Sequence, residues 1–174
     1  MTCDRCLAAT VFEGIPARIV RTYKDGGERR LADVIAGLML EAAHDAEELV
    51  GECWGGLLSG ADAVTFVPAT AAAFHRRGFD HMDEVTRVFS ERAGIPLIDA
   101  LAKHGRSDQR VLGRVGRREQ ARGVYQVVED VQGQKLLLLD DVITTGATIS
   151  AAAAALKRAG AASVDVLALA RVWG

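Results

Sequence analysis

The chain has 174 residues, of which 49% are hydrophobic, 25% charged and only 5% aromatic, with a formal net charge of −2. That length fits one domain of ordinary size, and the apolar share is enough for a substantial core. The charge argues against a generally basic nucleic-acid surface, and so few aromatics leave little material for base-stacking platforms.

From the N-terminus, Met1-Thr2-Cys3-Asp4-Arg5-Cys6 lacks the apolar run of a signal peptide. Nowhere does the chain offer the roughly 18 consecutive apolar residues that a membrane helix needs, so the expectation is a soluble cytoplasmic protein without membrane insertion. Cys3 and Cys6 have zinc-knuckle spacing, but a closed structural site takes four ligands. Cys53 stands far away beside Trp54, and three cysteines make no disulfide framework. Residues 1–11 are therefore set apart as a residual Cys-x-x-Cys segment, free of metal in a monomer, ahead of a domain spanning 12–174. A homodimer would bring four thiolates together.

Phe12 to Tyr23 alternates loosely between apolar and polar, which suggests one or two short strands, and Gly26-Gly27 breaks the pattern. Arg29 to about Leu58 reads as helical, with Leu31, Val34, Ile35, Leu38 and Met39 at spacings of three and four. Ala63 to Val67 is a compact apolar run stopped by Pro68, the pattern of a buried strand. Asp80 is placed to cap a helix over 81–93, and Ile95 to Ile98 reads as a short strand. The stretch from Lys103 to Arg122 holds seven Arg or Lys against two acids, lacks clean periodicity, and reads as a long loop or mobile arm.

Val124 to Val128 and Lys135 to Asp140 follow as strands, the second apolar on both faces and so central to a parallel sheet. Thr148 to Ala159 is an Ala-rich helix ending at Gly160, and Ser163 to Val172 is a last buried strand. Strands alternating with helices predict an α/β domain with a mostly parallel central sheet flanked by helices. The four histidines, His44, His75, His81 and His104, are scattered and form no recognisable ligand pair, so none is assigned a catalytic role.

The chemistry concentrates after the strand at 136–139. Asp140 and Asp141 emerge at its C-terminal end, where open α/β sheets place their ligands, and carboxylates there suit the hydroxyls of a sugar. Ile143-Thr144-Thr145-Gly146 then supplies hydroxyls, backbone N–H groups and a glycine that tolerates unusual dihedrals. A helix starts directly afterwards, its exposed amides and dipole favouring an anion. Acids for hydroxyls beside donors for a phosphate describe a sugar-phosphate site. Neither Gly-x-x-x-x-Gly-Lys-Ser/Thr nor Gly-x-Gly-x-x-Gly is present.

This stretch, residues 136–149, closely resembles the donor loop of type I phosphoribosyltransferases. The resemblance implies that fold, with a mobile arm or hood, and a site for phosphoribosyl diphosphate. It implies that Asp140 and Asp141 hold the ribose hydroxyls, and that Thr144, Thr145, Gly146, Ala147 and Thr148 cradle the 5′-phosphate. Over residues 12–172 the chain resembles the ComF family of competence proteins. Phe66-Val67-Pro68 followed by Arg76-Arg77-Gly78-Phe79-Asp80-His81 carries that likeness, as does Gln109-x-x-Leu112-Gly113-Arg114-x-x-Arg117-x-x-Gln120-x-x-Gly123-x-Tyr125. Tyr23-Lys24-Asp25-Gly26 matches the family only loosely. Asp80 and His81 stand where the family usually has Asn and Gln, and Gln120 and Tyr125 replace Asn and Phe.

On this resemblance Arg76 and Arg77 are candidates for the leaving diphosphate, Arg114 and Arg117 belong to the arm that closes over the site, and Mg²⁺ arrives mainly on the donor's own oxygens. Two functions stay open. One is an enzyme that transfers the phosphoribosyl group to a small-molecule acceptor which the sequence does not name. The other is a non-catalytic module that senses the donor or binds a protein partner of the DNA-uptake machinery.

Overall fold

The computed structural model describes residues 2–103 and 124–173. Its organising element is the nine-residue strand Lys135–Ile143, which is buried along most of its length. Four parallel strands make the main sheet: β1 (Arg5–Val11), β6 (Ser163–Arg171), β5 (Lys135–Ile143) and β2 (Ala63–Phe66), in that spatial order. A strand with neighbours on both sides and helices on both faces has no solvent side, which is why Leu136 to Leu139 can all be leucine.

Period-two alternation divides those leucines between two apolar layers. Leu137 and Leu139 pack with Val64, Phe66, Leu167 and Leu169 against Ile35 and Met39 of α2 (Leu31–Leu49) and Val85 and Phe89 of α5 (His81–Ala93). Leu136 and Leu138 pack with Val164 and Val166 against Ile149, Ala152 and Leu156 of α6 (Ala147–Arg158). A second, antiparallel ladder of β3 (Leu101–Lys103) and β4 (Tyr125–Val127) joins the α6 side through Leu101 and Tyr125. Between α2 and β2 lies a short helix, α3 (Gly51–Trp54).

The expected α/β fold with a parallel central sheet is therefore the observed one. One expectation is corrected. Residues 12–23 form no strands; Gly14–Gly26 is a helix, α1. Its buried residues Ala17, Val20 and Tyr23 recur at every third position, the spacing of one helical face. Pro16 falls in the first turn, where its missing N–H costs nothing. The β-branched residues Ile15, Ile19 and Val20 give the segment its strand-like look.

Other differences are smaller. The segment set apart at 1–11 supplies β1, an edge strand paired along its length with β6. Ile95 to Ile98 makes only a parallel bridge to β2, through Val64 N–H to the Pro96 carbonyl (2.8 Å) and Ile98 N–H to the Val64 carbonyl (2.9 Å). Ala71–Arg77 is an additional short helix, α4, capped by the Thr70 hydroxyl, which accepts from Ala73 N–H at 3.1 Å. Apart from Lys103, the predicted arm lies outside the described residues, and with it Arg114 and Arg117.

Candidate functional site

Two parallel strands deliver the site. β5 runs past its leucines into Asp140 and Asp141 before ending at Ile143, and β2 beside it leads through Val67 and Pro68 to α4. Asp80 ties this corner together. One of its carboxylate oxygens caps α5 by accepting from Met82 N–H at 2.9 Å, and the other accepts from Ala69 N–H at 2.7 Å. The α5 cap thereby also anchors the loop that follows β2.

The alternation that sorts the leucines also sorts the acids. Asp141 falls on the Leu137–Leu139 side, where Oδ2 accepts from Nε2 of His81 at 2.9 Å and pairs with the ammonium of Lys24. Its Oδ1 accepts from Val142 N–H at 2.6 Å. Asp140 falls on the other side, the side of Tyr125, and its Oδ1 accepts from Asp141 N–H at 2.9 Å. Both residues are buried, at 7% exposure each.

Burial pushes the Asp140 carboxyl well above the usual carboxylate range, and the neighbouring Asp141 charge adds to the rise. Burial alone would raise Asp141 too, but the His81 hydrogen bond and the Lys24 charge outweigh it and hold Asp141 below its ordinary value. The pair thus separates into one acid that favours its proton and one that favours its charge. The Tyr125 hydroxyl, buried and without a hydrogen-bond partner among the described residues, is pushed up to about 12 by burial and by Asp140.

Around Asp141 the structure gathers residues from three elements. Tyr23, Lys24 and Asp25 come from the last turns of α1, Arg77 from the end of α4, and His81 from the start of α5. The Tyr23 hydroxyl donates to the His81 carbonyl at 2.7 Å, locking α1 onto α5. Arg77 lies 3.7 Å from Asp25 and 3.4 Å from Nδ1 of His81, while its buried Nε has no partner among the described residues. A His81 ring that donates from Nε2 and accepts at Nδ1 satisfies both neighbours. Arg76, the other candidate for the diphosphate, is exposed in the last turn of α4.

Past β5 the turn opens to solvent. Thr144, Thr145, Ala147 and Thr148 are exposed, and Gly146 holds φ +76° as the residue before α6. Glycine has no side chain with which to cap the helix, and the Thr145 hydroxyl reaches Ala147 N–H only at 3.4 Å. A helix start without a side-chain cap and the exposed Thr144, Thr145 and Thr148 therefore follow directly on the acids, the arrangement that suits a phosphate.

Sequence reasoning singled out the acids, the turn and the Arg76-Arg77 pair, and it missed the convergence of Lys24 and His81 on Asp141. The loose Tyr23-Lys24-Asp25-Gly26 match was the available signal for α1. Nothing in the spacing links His81 to an acid 60 positions later. Among the described residues, no group of three or more His, Cys, Asp or Glu side chains is arranged to hold a metal ion. Cys3 and Cys6 are both free and partly buried, and burial together with Cys3 pushes the Cys6 thiol up to about 11. A cavity of about 190 Å³ lined by Arg5, Gly55, Lys135 and Asp165 sits at the opposite end of the sheet, where β5 begins.

Comparison with known proteins bears on this site. The family model described as the phosphoribosyl transferase domain matches residues 64–172, from β2 through β6. The DNA utilization protein YhgH of Escherichia coli K12 is 26% identical over 183 residues, covering 98% of this chain and 78% of that protein. This end-to-end extent agrees with the ComF resemblance. Ribose-phosphate pyrophosphokinase 1 of Lactococcus lactis is 31% identical over 97 residues, which is 56% of this chain and 30% of that protein. Among solved structures, the glutamine phosphoribosylpyrophosphate amidotransferase of B. subtilis aligns at 25% identity with a TM-score of 0.44, over 64% of this chain and 24% of that one. The phosphoribosylpyrophosphate synthetase of Mycobacterium smegmatis aligns at 24% identity with a TM-score of 0.42, over 73% of this chain and 33% of that one. The chain thus spans a third or less of these two solved chains. Among the described residues, no helix is long and apolar enough to cross a membrane.

Proposed function

Because the chain belongs to the phosphoribosyl transferase domain family, we propose that it binds phosphoribosyl diphosphate with Mg²⁺ and transfers the phosphoribosyl group to a small-molecule acceptor in the cytoplasm. The observation that carries this reading is the continuity of β5, a turn in which Thr144 and Thr145 are exposed, and the uncapped start of α6. Within one short stretch the chain offers carboxylates for sugar hydroxyls and amides and hydroxyls for the 5′-phosphate. Asp140 and Asp141 take the ribose, Thr144 to Thr148 take the phosphate, and Arg77, with Arg76 as the second candidate, takes the diphosphate end.

Transfer needs no protein nucleophile. An acceptor lone pair forms the new bond to C1 of the ribose while the C1–O bond breaks and diphosphate leaves with the bonding electrons. The protein's part is to hold the donor at both ends and to match the charge that develops. Arg114 and Arg117 of the arm are assigned to closure, which excludes water from a reactive sugar centre. The oxygen donors at the strand end are hard ligands of the kind Mg²⁺ favours, and a cation carried on the donor's own oxygens needs no protein cage. When bound, Mg²⁺ supplies neutralisation of the leaving diphosphate.

A second reading has its own support: the relatives that span the chain from end to end bear the name DNA utilization protein. On that reading the same site senses the donor, and the output is a partner of the DNA-uptake machinery. Diphosphate release separates the two. An enzyme incubated with phosphoribosyl diphosphate, Mg²⁺ and a panel of bases and amines releases diphosphate faster with one acceptor than with none. Donor binding without acceptor-dependent release would favour the sensor, and no donor binding at all would sink both.

A further inference from the structure

The geometry points to Lys24 as a further donor-binding residue, one that waits on Asp141 in the free protein and passes to the donor's diphosphate when the sugar arrives. This inference rests on the donor-site reading above, and Lys24 itself lies outside the stretch that matches the family model.

Most of the lone pairs of Asp141 are engaged in the free protein. Oδ1 is committed to Val142 N–H, and Oδ2 is shared between Nε2 of His81 and the Lys24 ammonium. A ribose hydroxyl that donates to Oδ2 must displace one of that oxygen's two partners, His81 or Lys24. Val142 is held by the backbone of β5. His81 is fixed on several sides: its ring is 8% exposed, its carbonyl accepts from Tyr23, and Nδ1 meets Arg77.

Lys24 is the partner with room to move. Its side chain is 22% exposed and stands on a flexible four-carbon stem in the last turn of α1. An ammonium that leaves a buried carboxylate but stays within the site carries a desolvation cost unless it finds another anion, and the donor brings one. The charges around it favour the exchange in one direction. Arg29 is paired with Glu84, and Arg77 stands 3.7 Å from the exposed Asp25, so Lys24 is the cation that ribose binding itself would release to join Arg77 at the diphosphate.

The two halves of the donor test this separately. Calorimetry in the presence of Mg²⁺ is run with phosphoribosyl diphosphate, with inorganic pyrophosphate and with ribose 5-phosphate, on the parent, Lys24→Met and Lys24→Arg. The expected pattern is a loss of about 10-fold for pyrophosphate and for the whole donor in Lys24→Met. Ribose 5-phosphate binding should be unchanged or tighter there, because Asp141 is unblocked. Lys24→Arg should keep most of the affinity for pyrophosphate. Equal losses for all three ligands in a variant that still unfolds cooperatively would overturn the exchange and leave Lys24 as a structural counter-ion. Unchanged affinity throughout would overturn it too. A parent that binds none of the three would overturn the donor-site reading itself, and the inference with it.

Discussion

Asp140 and Asp141 are neighbours with opposite environments, and strand geometry is the reason. Successive side chains of β5 leave on opposite faces, so one acid meets Lys24 and His81 while the other faces Tyr125. The consequence for stability follows from the direction of each shift. Asp140 is raised in the fold, so its contribution is present below the ordinary carboxylate range and lost as pH rises through its folded value. Asp141 is lowered, so its contribution is present above the ordinary range and lost as pH falls through its folded value. Asp140→Asn should therefore flatten the decline of stability on the alkaline side, and Asp141→Asn the decline on the acid side. Urea unfolding across a pH series measures this, and parallel profiles for parent and Asp140→Asn would contradict it. The acids themselves were legible in the sequence because they are adjacent and follow an apolar run. Their partners were not, because Lys24 and His81 reach Asp141 only through tertiary packing across long sequence separations.

At the scale of elements, the site depends on how helices begin and end. Asp80 both caps α5 and holds Ala69, so Asp80→Ala should cost about 1–2 kcal/mol and loosen the loop carrying α4. Asp80→Asn, which keeps an acceptor for the cap, should cost less; equal thermal stability of all three proteins would refute the double role. Gly146 is needed for a different reason, its φ of +76°. Gly146→Ala should lose about 1 kcal/mol of stability from the left-handed backbone and weaken 5′-phosphate binding as the turn shifts. Wild-type affinity for ribose 5-phosphate in that variant would contradict the turn's assigned role. The elements most readable in sequence were those with long or uninterrupted apolar patterns, β5, α2 and α6. The least readable was α1, whose β-branched residues look strand-like until the burial of Ala17, Val20 and Tyr23 reveals one helical face. α4 escaped notice as well, since seven residues give too little periodicity to register.

For the whole molecule, the parallel sheet separates support from chemistry. The two apolar layers meet across β5, whose C-terminal end presents the acids, while its N-terminal end lies near the Arg5–Asp165 ion pair (2.6 Å) that fastens β1 to β6. Leu137→Ala, fully buried in that layer, should destabilise the fold by about 2–5 kcal/mol through lost burial and a residual cavity. Its donor affinity should change little wherever the protein remains folded, which separates core from site in one pair of measurements. The measurement that bears most directly on the account is calorimetry of the parent and of the Asp140→Asn/Asp141→Asn double variant with phosphoribosyl diphosphate and Mg²⁺. The parent should bind, and the folded double variant should bind at least about 10-fold more weakly. Unchanged affinity in the double variant would contradict the assignment of the ribose to the end of β5.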